Sequence, residues 1–382
     1  MADLKEIVLI RSSYSDSGGV ERVTVSLING LLAKGLKVTL LTLPHQQWPV
    51  ADPRLKIVPL GICHGHRFLL AWAFNHAVNR YLQCNEAPCV LSLDKVTTFT
   101  HLHAGGGTHK SFLKVKDQYA GLWARIARGF SVFHRYILYL ERKGFENPRL
   151  QMVRCNSRLV KEDIQRDYGI PEEKMVLIHS GIQWQAMNNV YLRRKEVALE
   201  LCRLHHLDPH WKMLLFLGSG FSRKGLDVAI QGLAVMPAGY HLVVVGKGAA
   251  NPYQRLAAAL ELDHRVHFLG PQPRGWRYAS LCQALVLPSQ YDPFGGASAE
   301  GHAMGVPVLV SDKTGYADRV IHGQNGVVLK TPMCAEHIER AFTELAQMIA
   351  WPRWTPDQLR NQAHDVDDEV ILGQLFDRFL NV

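Results

Sequence analysis

The stretch Gly218-Ser219-Gly220-Phe221-Ser222-Arg223-Lys224-Gly225 sets two adjacent cations among small residues. Small residues let a ligand come close to the backbone. Arg can grip a diphosphate through two parallel hydrogen bonds, and Lys adds a point charge. A solvated basic pair at a helix start is the competing assignment. It is disfavoured because cations there oppose the helix dipole by roughly 0.3–1 kcal/mol unless an anion arrives. A second stretch runs Pro288-Ser289-Gln290-Tyr291-Asp292-Pro293-Phe294-Gly295-Gly296-Ala297-Ser298-Ala299-Glu300. If a helix starts near Gly295 and Gly296, Asp292 lies just before it and Glu300 roughly one and a half turns inside it, so both acids can face one ligand. Carboxylates accept hydrogen bonds from sugar and ribose hydroxyls. Outward-pointing N–H groups of Phe294, Gly295 and Gly296 would add an anion site. The plain alternative makes Asp292 a helix cap and Glu300 a surface acid.

Two weaker signals lie in the first half. Asp16-Ser17-Gly18-Gly19 places paired glycines where a phosphate could meet a helix N-terminus, but a tight turn fits as well. The pattern is not GxGxxG, so the dinucleotide fingerprint is absent. Thr100-His101-Leu102-His103-Ala104-Gly105-Gly106-Gly107-Thr108-His109 puts two histidines on one side of a strand. They invite a zinc reading, but no Cys or carboxylate joins them at ligand spacing, so no metal is expected. Ordinary strand and turn histidines remain the alternative.

The elements that must position these residues alternate strand and helix. Residues 6–11 form an apolar run, and Val20, Val23, Leu27, Ile28 and Leu31 recur at helical spacing. Residues 37–43 then read as a second strand. That βαβ unit implies parallel strands. Further strands are expected at residues 89–93, 151–155 and 174–179. After Gly181 the pattern restarts, with strands at 213–217, 241–245, 266–269, 284–288 and 306–310 and helices at 225–234 and 252–260. Two such series make two doubly wound α/β domains. Their expected limits are 1–182 and 183–364, with a helix at 365–382 packing its stripe of Ile371, Leu375 and Phe379 back on the first domain.

Composition bounds the remaining classes. A chain of 382 residues exceeds one ordinary core. No apolar run reaches the roughly 18 residues needed to span a bilayer. Residues 1–6 lack the layout of a signal peptide. Seven cysteines, an odd number with no repeated spacing, read as reduced thiols in a cytoplasmic protein. The net charge of +9 is uneven: residues 110–149 hold nine Lys/Arg against three acids, interleaved with Phe112, Tyr119, Trp123, Phe130, Phe133, Tyr136 and Tyr139. That mixture suits a solvated helix face, an anionic membrane surface or an acidic acceptor. Nucleic acid is not expected, since no binding signature accompanies the charge.

The pattern acid-Pro-Phe-Gly-x4-Glu of residues 292–300, followed by Ala303-x-Gly305-x-Pro307-Val308, resembles the EX7E motif of retaining glycosyltransferase family four. Ser17-Gly18-Gly19, Asn156-Ser157, His179-Ser180-Gly181-Ile182, residues 218–225, 266–270 and 312–318, and Asn325-Gly326 resemble that family's other segments in the same order, so the likeness covers nearly the whole chain. Gly-Ser-x-Phe-x-Arg-Lys-Gly is similar, more narrowly, to lipopolysaccharide-core α-glucosyltransferases. The resemblance implies a GT-B fold, with two Rossmann-like domains facing a central cleft. It implies transfer of a hexose, UDP-glucose or another UDP-hexose being the donor, to a lipopolysaccharide-core, other glycolipid or oligosaccharide acceptor. Anomeric configuration would be retained, with no metal or other cofactor.

By the same resemblance Arg223, Lys224, Asp292 and His103 would serve the reaction, and Gly18, Gly19, Gly218, Phe294, Gly295, Gly296 and Glu300 would bind substrate. Two residues depart from the family pattern: Asp292 stands where Glu is usual, and Ser219 where an Arg is usual. The location implied is cytoplasmic and peripheral on the inner face of the membrane, through residues 110–149. A nucleotide-sugar epimerase, a sugar-phosphate synthase and a non-catalytic sugar-nucleotide or membrane-binding protein are the other classes compatible with these residues.

Overall fold

The computed structural model describes residues 5–14, 19–62, 64–118 and 131–380. Asp16, Ser17, Gly18, Cys63 and, within the basic segment, Tyr119, Trp123, Arg125, Ile126, Arg128 and Phe130, where the sequence suggests a helix, lie outside the described residues. The chain divides into two compact units, residues 1–179 with 369–382, and residues 180–368.

Among the described residues, unit 1 holds a seven-stranded parallel sheet. Its strands are β1 (Glu6–Ile10), β2 (Lys37–Thr42), β3 (Leu55–Pro59), β4 (Val90–Ser92), β5 (His101–His103), β6 (Met152–Cys155) and β7 (Met175–Leu177), in the order β3-β2-β1-β4-β5-β6-β7. The central strands are near-continuous Val, Ile and Leu because helices cover both faces; Ile7, Leu9, Ile10, Val38, Leu40 and Leu41 are all buried. Helices at Gly19–Ala33, Arg67–Cys84, His109–Gln118, Val132–Phe145 and Arg158–Tyr168 connect them. Local chemistry sets their ends. The Ser157 hydroxyl accepts from the Val160 N–H, and Gly169 closes the same helix at φ 66°. The chain returns to this unit at its far end: a Cβ on Gly30 would sit 2.6 Å from the Phe376 ring, and Phe379 meets His101 edge-on at 5.3 Å.

Unit 2 is built on β8 (Lys212–Leu217), β9 (Tyr240–Val245), β10 (Val266–Gly270), β11 (Cys282–Leu287), β12 (Val308–Ser311) and β13 (Gly326–Leu329). They lie parallel in the order β10-β9-β8-β11-β12-β13, the doubly wound arrangement of a dinucleotide-binding domain. The order reverses between β1 and β4 in unit 1 and between β8 and β11 in unit 2. In open α/β sheets the ligand crevice lies outside the strands' carboxyl ends at such a point. No helix among the described residues is long and apolar enough to cross a membrane.

Candidate functional site

In unit 2 the residues after β8 and β11 meet at the reversal point. A single helical turn, Phe221–Lys224, is set between two left-handed glycines, Gly220 at φ 78° and Gly225 at φ 74°. Gly225 is required sterically, since a Cβ there would lie 2.0 Å from the Pro288 carbonyl oxygen at the end of β11. Arg223 and Lys224 therefore close a turn instead of opening a helix, and the expected clash with a helix dipole does not arise. The turn sends the Lys224 stem along Gly218, whose Cβ would be 3.4 Å away, and its ammonium to Asp292. Arg223 Nη1 donates to the Tyr291 carbonyl at 3.1 Å. The sequence assigned Lys224 to an anion and Asp292 to a hydroxyl. The structure pairs the two with each other, because two buried opposite charges at contact distance neutralise one another.

Asp292 is buried, which raises its pKa, but the Lys224 and Arg223 charges and the Gly295 N–H together hold it below the ordinary carboxylate value. The Gly295 N–H is thus turned to Asp292 and is not the outward donor expected. Gly295 itself, at φ 82°, caps the helix Gly296–Ala303; a Cβ on it would strike Thr314 Cγ2 at 2.5 Å. Glu300 is the fifth residue of that helix and partly exposed, while a Cβ on Gly296 would meet open space. The Phe294 side chain is buried edge-on against Tyr316 at 5.7 Å, so only its backbone can serve a ligand.

Sequence reading missed the support beneath. His302 Nε2 donates to the Asn325 carbonyl and Nδ1 accepts from the Tyr316 hydroxyl, each at 3.0 Å. Burial lowers the His302 pKa to about 4, so the ring stays neutral and fixed in one tautomer. The signal available was a histidine two residues after Glu300, on the buried side of the same helix.

In unit 1, Arg11 follows β1 and binds Asp94 Oδ1 at 2.5 Å and Glu21 Oε1 at 2.8 Å. Asp94, after β4, also accepts from the Ser12 N–H. His103 ends β5. Its Nδ1 accepts from Arg154 Nη1 at 2.6 Å, which leaves the ring proton on Nε2. Burial, then the charges of Arg154 and Arg11, hold the His103 pKa well below its usual value. Arg154 is fully buried and also donates to the Ile178 and His179 carbonyls. Burial lowers its pKa to about 9, and it remains charged at neutral pH. Gly105 lets this histidine lie against the loop, since a Cβ there would be 2.3 Å from His103 Nε2. Gly19 is the first residue of its helix.

His101 bonds to Thr100 and Cys89, and His109 Nε2 meets His134 Nδ1 at 3.0 Å, so His101, His103 and His109 each take a separate partner. Glu141 joins the loops around them: it binds Lys95 and accepts from Tyr168 and from the His109 N–H at 2.6 Å. The basic segment is less charged than its composition suggests. Lys110 and Lys114 lie 3.5 and 2.9 Å from Asp167, and Arg142 and Lys143 lie 2.7 and 2.9 Å from Glu146.

Comparison with known proteins accords with this geometry. The model of the family described as Glycosyltransferase Family 4 matches residues 17–184, and that of Glycosyl transferases group 1 matches residues 205–349. The lipopolysaccharide glucosyltransferase WaaG of Escherichia coli is 23% identical, the match covering 88% of this chain and 90% of WaaG. The lipopolysaccharide core biosynthesis glycosyltransferase LpsE of Rhizobium meliloti is 22% identical over 94% of this chain and 93% of its own. A crystal structure of WaaG matches with a TM-score of 0.76, 19% identity and coverage of 97% and 98% of the two chains. Anabaena Alr3699/HepE, solved in complex with UDP and glucose, matches with a TM-score of 0.68, 16% identity and coverage of 99% and 100%. The chain belongs to the family 4 glycosyltransferases of GT-B fold and is related to enzymes that build the lipopolysaccharide core.

Proposed function

We propose that this glycosyltransferase moves a hexose from a UDP-hexose, UDP-glucose first among them, to a glycolipid acceptor of the lipopolysaccharide-core kind. Anomeric configuration is retained and no divalent metal takes part. The carrying observation is the Arg223–Lys224–Asp292 group at the carboxyl ends of β8 and β11. As the donor bond breaks, negative charge grows on the departing diphosphate. Fixed cations in a buried setting stabilise that charge without a metal ion, commonly the largest catalytic contribution. In this reading Lys224 turns from Asp292 to the diphosphate, which frees the Asp292 carboxylate for a sugar hydroxyl. Glu300 accepts from the ribose hydroxyls. Neutral His103 offers its Nε2–H, or its backbone, to the sugar. The Alr3699/HepE complex with UDP and glucose and the kinship with WaaG support the choice of donor and acceptor.

The protein works in the cytoplasm at the inner membrane face. Leu69, Trp72, Val132 and Tyr139 are large apolar side chains exposed on the helices Arg67–Cys84 and Val132–Phe145, among the cations Arg135 and Arg142. Exposed apolar groups beside cations suit an anionic bilayer surface.

Calorimetric titration of UDP-glucose, UDP-galactose, ADP-glucose and GDP-mannose in EDTA tests the donor and the metal together. One UDP-hexose binds, and Arg223→Ala weakens it at least tenfold, the loss of one charge-assisted contact of about 1.5–3 kcal/mol. Binding that needs added magnesium would refute metal independence, and an inverted product anomer seen by NMR would refute retention.

A further inference from the structure

Unit 2 holds a cavity of about 310 Å³ at the end of its sheet opposite the Arg223–Lys224–Asp292 group. That is at the low end of the roughly 300–1,000 Å³ usual for small-molecule sites. Cys282 and Gln283, where β11 begins, and Val306 and Pro307, just before β12, line it. β11 is six residues long, so about 20 Å of strand separates the two places. Gly305, at φ 77°, allows the elements there to close up: a Cβ on it would lie 2.9 Å from Pro356 Cβ and from Tyr191 Cε2.

Much of the lining is apolar, with Met304, Val306, Met348, Ile349, Trp354 and Leu359. Its charged side chains are Arg194 and Arg353, and no carboxylate lines it. Among the described residues Arg353 makes no hydrogen bond and no ion pair. Arg194 lies 4.2 Å from the centre of the Tyr191 ring and reaches the Tyr191 carbonyl at 3.4 Å. Asp357 is outside the lining and accepts from the Tyr191 hydroxyl at 2.8 Å. Gln283 spends its Oε1 on the Met213 N–H, which leaves its NH2 to donate. Ser280, also in the lining, has a hydroxyl shut off from water and without a partner, a state that calls for a missing ligand or water. Two uncompensated guanidinium groups suit a carboxylate or phosphate, which each can bind through paired hydrogen bonds. An inorganic anion would leave the apolar wall unfilled, and a neutral hydrocarbon would leave the cations unmet. Trp354 and the Met348 thioether suit an aromatic body. Burial pushes the Cys282 thiol up, so it stays protonated and the cavity binds without reacting. We infer that this cavity is a second ligand site, for a small aromatic carboxylate or phosphate whose head is held by Arg194 and Arg353. The site goes beyond glycosyl transfer and does not depend on it.

The test is ligand-observed NMR titration of the full chain with 2-naphthoate, 2-naphthyl phosphate, the neutral 2-naphthamide and inorganic phosphate. At least one naphthyl anion saturates with a Kd of about 1 mM or tighter, and the tighter of the two names the head group. Naphthamide and inorganic phosphate bind at least tenfold more weakly. Arg353 is exposed and Arg194 partly so, and replacing them breaks no ion pair. Arg194→Gln with Arg353→Gln weakens the naphthyl anion at least tenfold, the loss of charge-assisted contacts. Arg223→Ala, at the other end of the sheet, changes it less than twofold. Failure of both anions to saturate overturns the proposal, as does naphthamide binding as tightly as naphthoate. An affinity that falls in Arg223→Ala and not in the double variant overturns it too. The wild-type comparison of naphthoate with naphthamide decides the matter even where a variant fails to fold.

Discussion

Lys224→Met keeps the stem that lies along Gly218 and removes only the ammonium. The Asp292 carboxylate is left buried, and the two side chains are only 12% and 10% exposed. Removing one member of a buried pair costs roughly 3–5 kcal/mol. Asp292 keeps the Gly295 N–H and the Arg223 charge, so the lower end applies. Unit 2 spans residues 180–368, and a domain of that size shifts by about 2–4 °C per kcal/mol, which predicts a fall of roughly 6–12 °C in its melting temperature. The deficit also depends on pH. In the wild type burial raises the Asp292 pKa, but Lys224, Arg223 and Gly295 outweigh it. The depressed value contributes stability above the unfolded carboxylate pKa of about 3.9, lost as pH falls through the folded value. Without Lys224 burial wins, the carboxyl takes up a proton at higher pH, and the deficit shrinks between pH 8 and pH 5. Lys224→Met with Asp292→Asn recovers most of the loss at pH 8. Scanning calorimetry of the two single variants and the double variant at both pH values is the assay. A deficit independent of pH, or a double variant as unstable as the two singles added together, would refute the buried pair.

Gly225→Ala sets a methyl group 2.0 Å from the Pro288 oxygen at a positive φ and should cost roughly 2–4 kcal/mol, read from urea unfolding. Burial is the first cause that brings the pKa of His101, His109, His241 and His302 to about 4. Their unfolded value is about 6.5, so below it the unfolded chain binds more protons and stability falls as pH drops from about 6.5 to 4. Urea midpoints across that window should fall, and His302→Gln should shallow the slope by about one proton; a flat wild-type profile would contradict the burial of these rings. Gly105→Ala should displace His103 and lower kcat at least tenfold while the nucleotide-sugar Kd moves less than about threefold, measured by initial rates and titration.

The fold was legible because both sheets have central strands buried on two faces, which the sequence writes as unbroken apolar runs such as residues 213–217 and 242–245. Of the four edge strands, β7 and β10 were expected, but β3 and β13 were not. Leu55–Pro59 is half-exposed and mixes Lys56 and Pro59 into its pattern, and Gly326–Leu329 is four residues long and begins on a glycine. Of the candidate site, Arg223, Lys224, Asp292 and Glu300 could be found because each lies in a short segment with small residues. Their mutual pairing could not, since Lys224 and Asp292 are 68 residues apart and meet only when β8 and β11 become neighbours. Arg154 and Glu141 stayed hidden for the same reason: a buried charge is an anomaly in the sequence until its partners from other elements are in place.

The Phe376–Gly30 packing has a consequence for synthesis. Unit 1 surrounds unit 2 in the chain, so its last piece follows 189 residues of unit 2. At roughly 5–20 residues per second, the ribosome needs about 10–40 s to make that insertion. During this interval the face of the helix Gly19–Ala33 around Gly30 has no Phe376 to cover it. The unit translated first is thus the one completed last. In the nascent chain, unit 1 waits for the whole of unit 2 before it can close its own core.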